Sequence, residues 1–244
     1  MTENYQKLAT YRSSLYGLLS SVYLQIPSRG ILGLPWNAAA KLLEFCQGGT
    51  TRSRERNEEA LKEIENGLRL VHPYLSKEDH AFGKDLLSLS KDWTHLFRGV
   101  DKEGPLPPYE SLYRTGKLQE KPAQDIHRLF SKMGVHVPEE WHQPLDYIGV
   151  ELDFMRLLCE KEREAWEKNG WDSVLEVVKI EESFLENHVG LWVFSFCDKM
   201  TEQARQGFYQ GIARLTKGLV GYDRTHIRNI ISNYKAQRIN VIKN

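Results

Sequence analysis

Apolar residues return at helical spacing along almost the whole chain, and nowhere do they alternate for long enough to make a strand. Leu8, Tyr11, Leu15, Leu18, Leu19 and Val22 form one stripe; Leu61, Ile64, Leu68 and Val71 form a second. Leu86, Leu89, Trp93, Leu96 and Phe97 give a third, and Val177, Ile180, Phe184, His188, Leu191 and Ser195 share one side of a fourth. A repeat near 3.6 residues buries one face of a helix, whereas a repeat of two buries one face of a strand. The pattern predicts an all-α fold of roughly nine to eleven helices, short ones included. With 244 residues there is ample chain for a core, and a single helical domain over residues 1–244 is the expectation.

Punctuation places the elements. Thr2 or Asn4 can cap a first helix that runs to about Gln25. Pro27 to Pro35, with Gly30 and Gly33, reads as a loop, and Pro35 suits the first position of a short helix through Phe45. Gly48 to Arg54 reads as a flexible linker before a charged helix, about Glu55 to Val71. Ser76 with Asp79 makes a capping box for a helix through Phe97. Gly99 to Pro108 and Gly134 to Gln143 are loops and candidate hinges. Between them lie short helices at Tyr109 to Arg114 and Ala123 to Met133. A long helix should follow from Pro144 to about Asn169, broken by Gly170. Asp172 caps another that runs to about Lys199. Two more are expected, about Glu202 to Val220 and Asp223 to Gln237.

Charge and composition exclude several classes. Lys+Arg and Asp+Glu balance at 33 each, so no net field attracts nucleic acid or anionic lipid. Cys46, Cys159 and Cys197 are odd in number and widely spaced, which argues against a disulfide framework or a zinc site and for reduced thiols in the cytoplasm. Met1 to Lys7 lacks the basic start and apolar run of a signal peptide, and no apolar run approaches a membrane span. Six Trp and eleven Tyr are a generous aromatic content for a chain without evident chemistry. Most should fill a helical core; the remainder suit a binding surface.

Two segments stand apart from the stripes. In Pro107-Pro108-Tyr109-Glu110-Ser111-Leu112-Tyr113-Arg114 a rigid turn opens into an amphipathic segment, with Leu106 to Pro108 extended. Tyr109, Leu112 and Tyr113 then share a face. In Asp146-Tyr147-Ile148-Gly149-Val150-Glu151-Leu152-Asp153-Phe154-Met155 the residues Asp146, Gly149 and Asp153 fall on one helix side, with Ile148, Leu152 and Met155 on another. Neither segment has a nucleophile with a base, a phosphate loop or a metal-ligand spacing.

These residues resemble the TorD/DmsD/NarJ group of redox-enzyme maturation chaperones. The likeness covers about residues 10 to 225 and rests on Pro107 to Tyr113, then Pro144, Asp146, Gly149 and Glu151 to Met155. Phe184, His188 and Trp192 follow, and then Leu215, Leu219 and Asp223. Gln143 stands where an acid is usual in that group, and Tyr147 where a histidine is usual. The resemblance implies an all-helical, cytoplasmic chaperone without catalytic activity, cofactor or metal. Its partner would be the catalytic subunit of a molybdenum-containing oxidoreductase, met at a twin-arginine leader peptide. No nucleic acid and no stable membrane insertion are implied, and the protein would act as monomer or homodimer.

The candidate client-binding residues are Tyr109, Glu110, Tyr113, Asp146, Tyr147, Glu151 and Asp153. Aromatics give contact area at low entropy cost, and a carboxylate can pair with a guanidinium. They are expected to line one partly exposed concave surface. Each has a plainer reading beside it. Asp146 can serve a helix N-terminus. The tyrosines can pin a loop to the core, and Glu151 and Asp153 can belong to a solvated face or an internal ion pair. The change to Tyr147 removes a group that ionises near neutral pH. His188, on an apolar face with Phe184 and Trp192, reads as a structural histidine. Glu139-x-x-His142 has the spacing of a di-iron ligand pair, but there is no second pair, and it sits in a Pro-flanked loop. A small helical enzyme would need a metal cluster or phosphate loop. A general helical interaction module without a molybdoenzyme client remains the other reading.

Overall fold

The structure, a computed structural model, describes residues 2–48, 50–75, 79–99, 104–137, 141, 144–168 and 171–242, with the side chains of 52, 53, 79–84 and 237–242 excepted. These residues form eleven helices and no strand. They are α1 (Thr2–Leu24), α2 (Arg29–Leu32), α3 (Asn37–Gln47), α4 (Thr51–Leu75), α5 (Asp79–Phe97), α6 (Glu110–Thr115), α7 (Lys121–Lys132), α8 (Ile148–Glu167), α9 (Trp171–Asn187), α10 (Val189–Gln203) and α11 (Gly207–Ile242). The all-α expectation therefore holds. Ser76, Glu139, His142, Gln143 and Gly170 lie outside the described residues.

Two helix pairs carry the packing, α1 on α8 and α4 on α11; α9 and α10 lie on α11, and α3 bridges α1 and α4. The second pair is close because it is built on small residues. A Cβ on Gly67 would stand 2.8 Å from the Gly211 carbonyl oxygen, and one on Gly211 only 2.6 Å from Val71 Cγ2. Backbones at that separation leave no room for side chains at the crossing. Farther along, α5 joins the bundle through Trp93, whose Nε1 donates to the Val22 carbonyl at 3.2 Å. Buried Asp92 accepts from the backbone N–H groups of Arg205 and Gln206 at 3.2 and 2.8 Å, capping the start of α11.

A buried guanidinium ties four of these helices together. Arg12 of α1 is fully buried. Its Nε and Nη2 donate to Asp223 of α11 at 2.7 and 3.0 Å, and Nη2 also donates to Glu181 of α9 at 2.5 Å. Nη1 donates to Glu162 of α8. The acids are held in turn: Tyr16 Oη donates to Asp223 at 2.9 Å, and Trp166 Nε1 to Glu162 at 2.9 Å. One cation faces three carboxylates. Burial pushes both glutamates up, Glu181 to about 8, although Arg12 pulls each of them down. The cluster is therefore closer to electroneutral than its composition suggests, because a proton sits among the acids at neutral pH.

Several boundaries differ from the sequence reading: the expected loop Pro27 to Pro35 holds the short helix α2, and Asp172 lies inside α9, which starts at Trp171. Three further differences have a clear local reason. Gly48 to Arg54 is not a long linker, because α4 already starts at Thr51, with Arg54 N–H donating to the Thr50 carbonyl at 3.0 Å. The single helix expected from Asp172 to Lys199 is broken at His188, which has φ −128° and ψ −106°. That kink brings backbone onto backbone: a Cβ on Gly190 would lie 2.1 Å from the Leu185 carbonyl oxygen. Conversely, the two expected C-terminal helices are one, α11. Asp223 starts no helix; it turns inward to Arg12.

The proton at Glu181 gives the fold a definite pH dependence. A carboxyl whose folded pKa is raised from 4.5 to about 8 binds a proton that the unfolded chain has released. Its stability contribution is whole below about pH 4.5 and is lost as pH rises toward about 8, at up to ~1.4 kcal/mol per unit. Glu181→Gln keeps the shape and removes this loss. Urea unfolding should show the wild type weakening between about pH 5 and about pH 8 by on the order of a few kcal/mol, with a flatter profile for the variant. Parallel profiles would place the proton elsewhere.

Candidate functional site

The two motif segments, distant in sequence, meet in space. Pro108 to Ser111 and Asp146 to Ile148 run side by side as a short antiparallel bridge centred on Tyr109 and Tyr147. Glu110 N–H donates to the Asp146 carbonyl at 2.8 Å, and Ile148 N–H to the Pro108 carbonyl at 2.9 Å. The two tyrosine rings stack obliquely, with centroids 5.2 Å apart. This pairing explains why α8 starts at Ile148 and not at Pro144: residues 146 and 147 are extended because they hydrogen-bond to the other segment.

Asp146 does serve a helix N-terminus, but of another helix. Tyr109, the N-cap of α6, offers no side-chain bond to the helix it precedes. Asp146 Oδ2 takes that place from across the bridge, accepting from Ser111 N–H at 2.8 Å. A carboxylate there meets the unpaired amides and the positive end of α6. Tyr147 reaches the opposite way. Its hydroxyl donates to the Tyr23 carbonyl at 2.8 Å, near the C-terminal end of α1. That bond needs a long side chain with a terminal donor, which tyrosine supplies.

Behind the bridge the acids continue inward. Glu110 accepts from Arg114, one turn along α6, and its Oε2 lies 2.9 Å from His188 Nδ1. Arg114 also donates to the Asn187 carbonyl at 3.1 Å, so the kink between α9 and α10 is clasped from both sides. Trp192 Nε1 donates to Glu151 Oε2 at 3.2 Å. Burial drives the Glu151 carboxyl well up, and the nearby Glu110 charge adds to the effect. Glu151 is thus neutral at neutral pH, while Glu110 keeps the cationic partner.

Seven residues were expected on one open, concave surface, and the structure divides them. Glu110, Asp146 and Glu151 are fully buried, and Tyr147 is 6% exposed. Tyr109 and Tyr113 are half-buried; Tyr113 packs its ring on Trp192 and Phe196. Asp153 lies two residues beyond Glu151, on a different side of α8, and holds Arg156 at 2.5 Å. Open exposure of the acids is therefore corrected. Each of the three buried acids accepts a bond from a fixed donor and is enclosed by the bridge, while Asp146 Oδ1 and Glu151 Oε1 have no hydrogen-bond partner among the described residues. Sequence reasoning did not pair His188 with Glu110, nor Asp146 with Ser111, since both pairings follow from a bridge between remote segments. Among the described residues no group of His, Cys, Asp or Glu is arranged to hold a metal. Cys46, Cys159 and Cys197 are free, and no described helix is long and apolar enough to cross a membrane.

The different tasks of the acids separate in mutants. Asp146→Asn keeps one acceptor but loses the charge at α6, so it should cost roughly 0.5–2 kcal/mol. Glu151→Gln replaces a neutral acid with a neutral amide and should be harmless or stabilising from about pH 5 upward, where the wild type must keep a proton that the unfolded chain has shed. Thermal unfolding at about pH 8 should therefore rank Glu151→Gln at or above the wild type and Asp146→Asn below it. The reverse order would mean that Glu151 is ionised in the folded state.

Comparison with known proteins agrees with the resemblance. Residues 56–198 match the family model described as nitrate reductase delta subunit. Chaperone protein TorD of Vibrio parahaemolyticus is 30% identical over 143 residues, covering 58% of this chain and 65% of that protein. Its namesake from Vibrio cholerae (El Tor Inaba N16961) is 24% identical over 226 residues, covering 92% of this chain and 95% of the relative. A solved chain from Archaeoglobus fulgidus, described as a candidate redox enzyme maturation protein, is 19% identical with a TM-score of 0.47, over 84% of this chain and 91% of that one. The relatives named TorD are chaperones by name and not enzymes. The matched span takes in more than half the chain and both segments of the bridge, and the protein belongs to the nitrate reductase delta subunit family.

Proposed function

We propose that the protein is a cytoplasmic maturation chaperone for a molybdenum-containing oxidoreductase. It binds the catalytic subunit as apoenzyme, at a twin-arginine leader, and holds it while the molybdopterin cofactor is inserted, so that export waits for assembly. The observation that carries this reading is the bridge itself. The two segments that resemble the chaperone group are joined residue to residue, in a chain whose relatives are named TorD. Binding and release suffice for such a role, and no bond is made or broken by the chaperone. It acts as a monomer or homodimer.

In this reading the candidate residues have different duties. Tyr109, Tyr113 and Asp153 keep accessible surface and can touch a client directly. Glu110, Asp146, Tyr147 and Glu151 hold that surface in shape from beneath. The Asp153 carboxyl is 42% exposed, so it can meet a leader arginine, although Arg156 shares it. An ion pair in that setting is modest and screened by salt.

Capture from native cell extract on the immobilised protein, with identification of what is retained, tests the reading. A molybdenum oxidoreductase catalytic subunit should be recovered. Partners that include no redox enzyme would instead favour a general helical interaction module. Asp153→Asn should weaken leader-peptide binding by roughly twofold to tenfold at low salt and less at high salt. Unchanged affinity at both salts would remove Asp153 from the contact.

A further inference from the structure

A cavity of about 710 Å³ opens where the start of α1, the end of α3, the start of α4 and the middle of α11 come together. It shares no lining residue with the Tyr109–Tyr147 bridge. Its size lies within the roughly 300–1,000 Å³ of ordinary ligand sites. The cavity has a structural origin. Glycines bring α4 and α11 into backbone contact at Gly67 and Gly211, and Gly218 does the same against Ala60. Past Ala60 the small residues stop, and the pair is bridged at longer reach, with Arg56 Nη1 donating to Asn229 Oδ1 at 3.2 Å.

Apart from the buried Asn57, the floor is apolar and aromatic. Leu8, Tyr222, His226 and Ile230 line it, and all four are buried. The His226 ring lies nearly parallel to Tyr222, at 13° with centroids 5.6 Å apart. Burial, with Arg12 behind it, holds this imidazole well below its usual pKa, so the floor carries no charge. His226 Nε2 is also buried without a hydrogen-bond partner among the described residues, an unmet polar group in a wall of the cavity. The two charged lining residues, Arg56 and Glu44, are exposed at the rim and opposite in sign.

Two exposed carboxamides at the rim belong to different helices. Asn4 of α1 and Asn233 of α11 both line the cavity. A carboxamide offers a donor and an acceptor side by side, the same pair that a peptide unit presents. A charged group entering this space would find no opposite charge on the floor and would lose its hydration. An apolar side chain would find dispersion contacts with Leu8 and Ile230 and aromatic faces.

We propose that this cavity is a second docking site for client polypeptide, taking a short uncharged segment whose apolar side chain enters the floor while its backbone amides pair with Asn4 and Asn233. The inference rests on the chaperone reading but concerns a different part of the client from the arginine-bearing leader. A chaperone that held a client at two places would gain from tethering the second contact to the first.

Calorimetric titration of the full chain with the capped peptide acetyl-Gly-Leu-Phe-Gly-amide tests it, beside acetyl-Gly-Arg-Arg-Gly-amide. The uncharged peptide should bind with a midpoint below about 1 mM, and the arginine peptide at least about tenfold more weakly. Asn233 is exposed, so Asn233→Trp should leave the melting temperature unchanged while its indole blocks the mouth and weakens the uncharged peptide about tenfold or more. Asn4→Ala, which leaves the mouth open, should weaken it by a smaller factor. No binding of the uncharged peptide to the wild type, equal binding of both peptides, or undiminished binding to Asn233→Trp would each overturn the proposal. Capture of the oxidoreductase subunit by the wild type is scored separately. Its loss overturns the chaperone reading, whereas its persistence without peptide binding overturns only the second site.

Discussion

Everything in this bundle is referred to the Arg12 guanidinium. A planar fork with five donors is the side chain best shaped to meet several carboxylates at fixed angles. Here it meets three, from α8, α9 and α11, while its own backbone belongs to α1. Burying such a group is costly, and the attraction recovers that cost only where geometry and hydrogen bonding are complete. Tyr16 and Trp166 supply much of the completion by donating to the acids. Apolar packing would hold four helices together with less penalty, but it would tolerate sliding. The ion cluster permits one register, because a shift of one residue would strand a charge.

From that hub three helices run to the motif bridge. On α1, Arg12 and Tyr23 are separated by three turns of helix, roughly 16 Å, and the Tyr23 carbonyl accepts from Tyr147. Glu162 and Glu151 stand the same distance apart on α8, the first in the hub and the second behind the bridge. Glu181 and His188 are two turns apart along α9, and His188 lies against Glu110. The register set at Arg12 is thus transmitted along three rigid elements to the place where Pro108 to Glu110 pairs with Asp146 to Ile148. The short bridge has only two backbone hydrogen bonds at its centre and would be marginal alone. It persists because both of its sides are anchored to helices whose positions are already decided.

Helix periodicity made the fold class legible, and the reason is physical: stripes such as Leu8 to Val22 bury one face whatever their neighbours are. The breaks were less legible. His188 and Gly190 end α9 because of contacts with α6 and with the Leu185 carbonyl, which no local pattern carries. Asp223 has the look of a helix cap and is a hub acid, since its partner lies more than two hundred residues away. One signal was available in retrospect. Arg12 falls one turn past Leu8 and one turn before Leu15 and Tyr16, inside the apolar stripe, where an arginine must find acids. The positions of Tyr109, Glu110, Asp146 and Tyr147 in one place followed from the family resemblance, and their mutual bonding did not.

A segment rich in Pro, Tyr and acids invites the thought that its polar groups face a partner. In this molecule the acids of the segment face inward, and the reason lies in what an extended bridge between helices requires. Its backbone amides at the start of α6 lack helical partners, and a carboxylate from the other strand is the most economical acceptor. The kink at His188 brings an imidazole that needs an acceptor, and Glu110 supplies it. Once those acids are enclosed, at least one must hold a proton, and Glu151 does so against Trp192. The polar character of the motif is thus a consequence of joining three chain breaks in the interior. Surface chemistry near it passes to residues at the edge of the joint, Tyr109, Tyr113 and Asp153, whose positions are fixed by what lies beneath them.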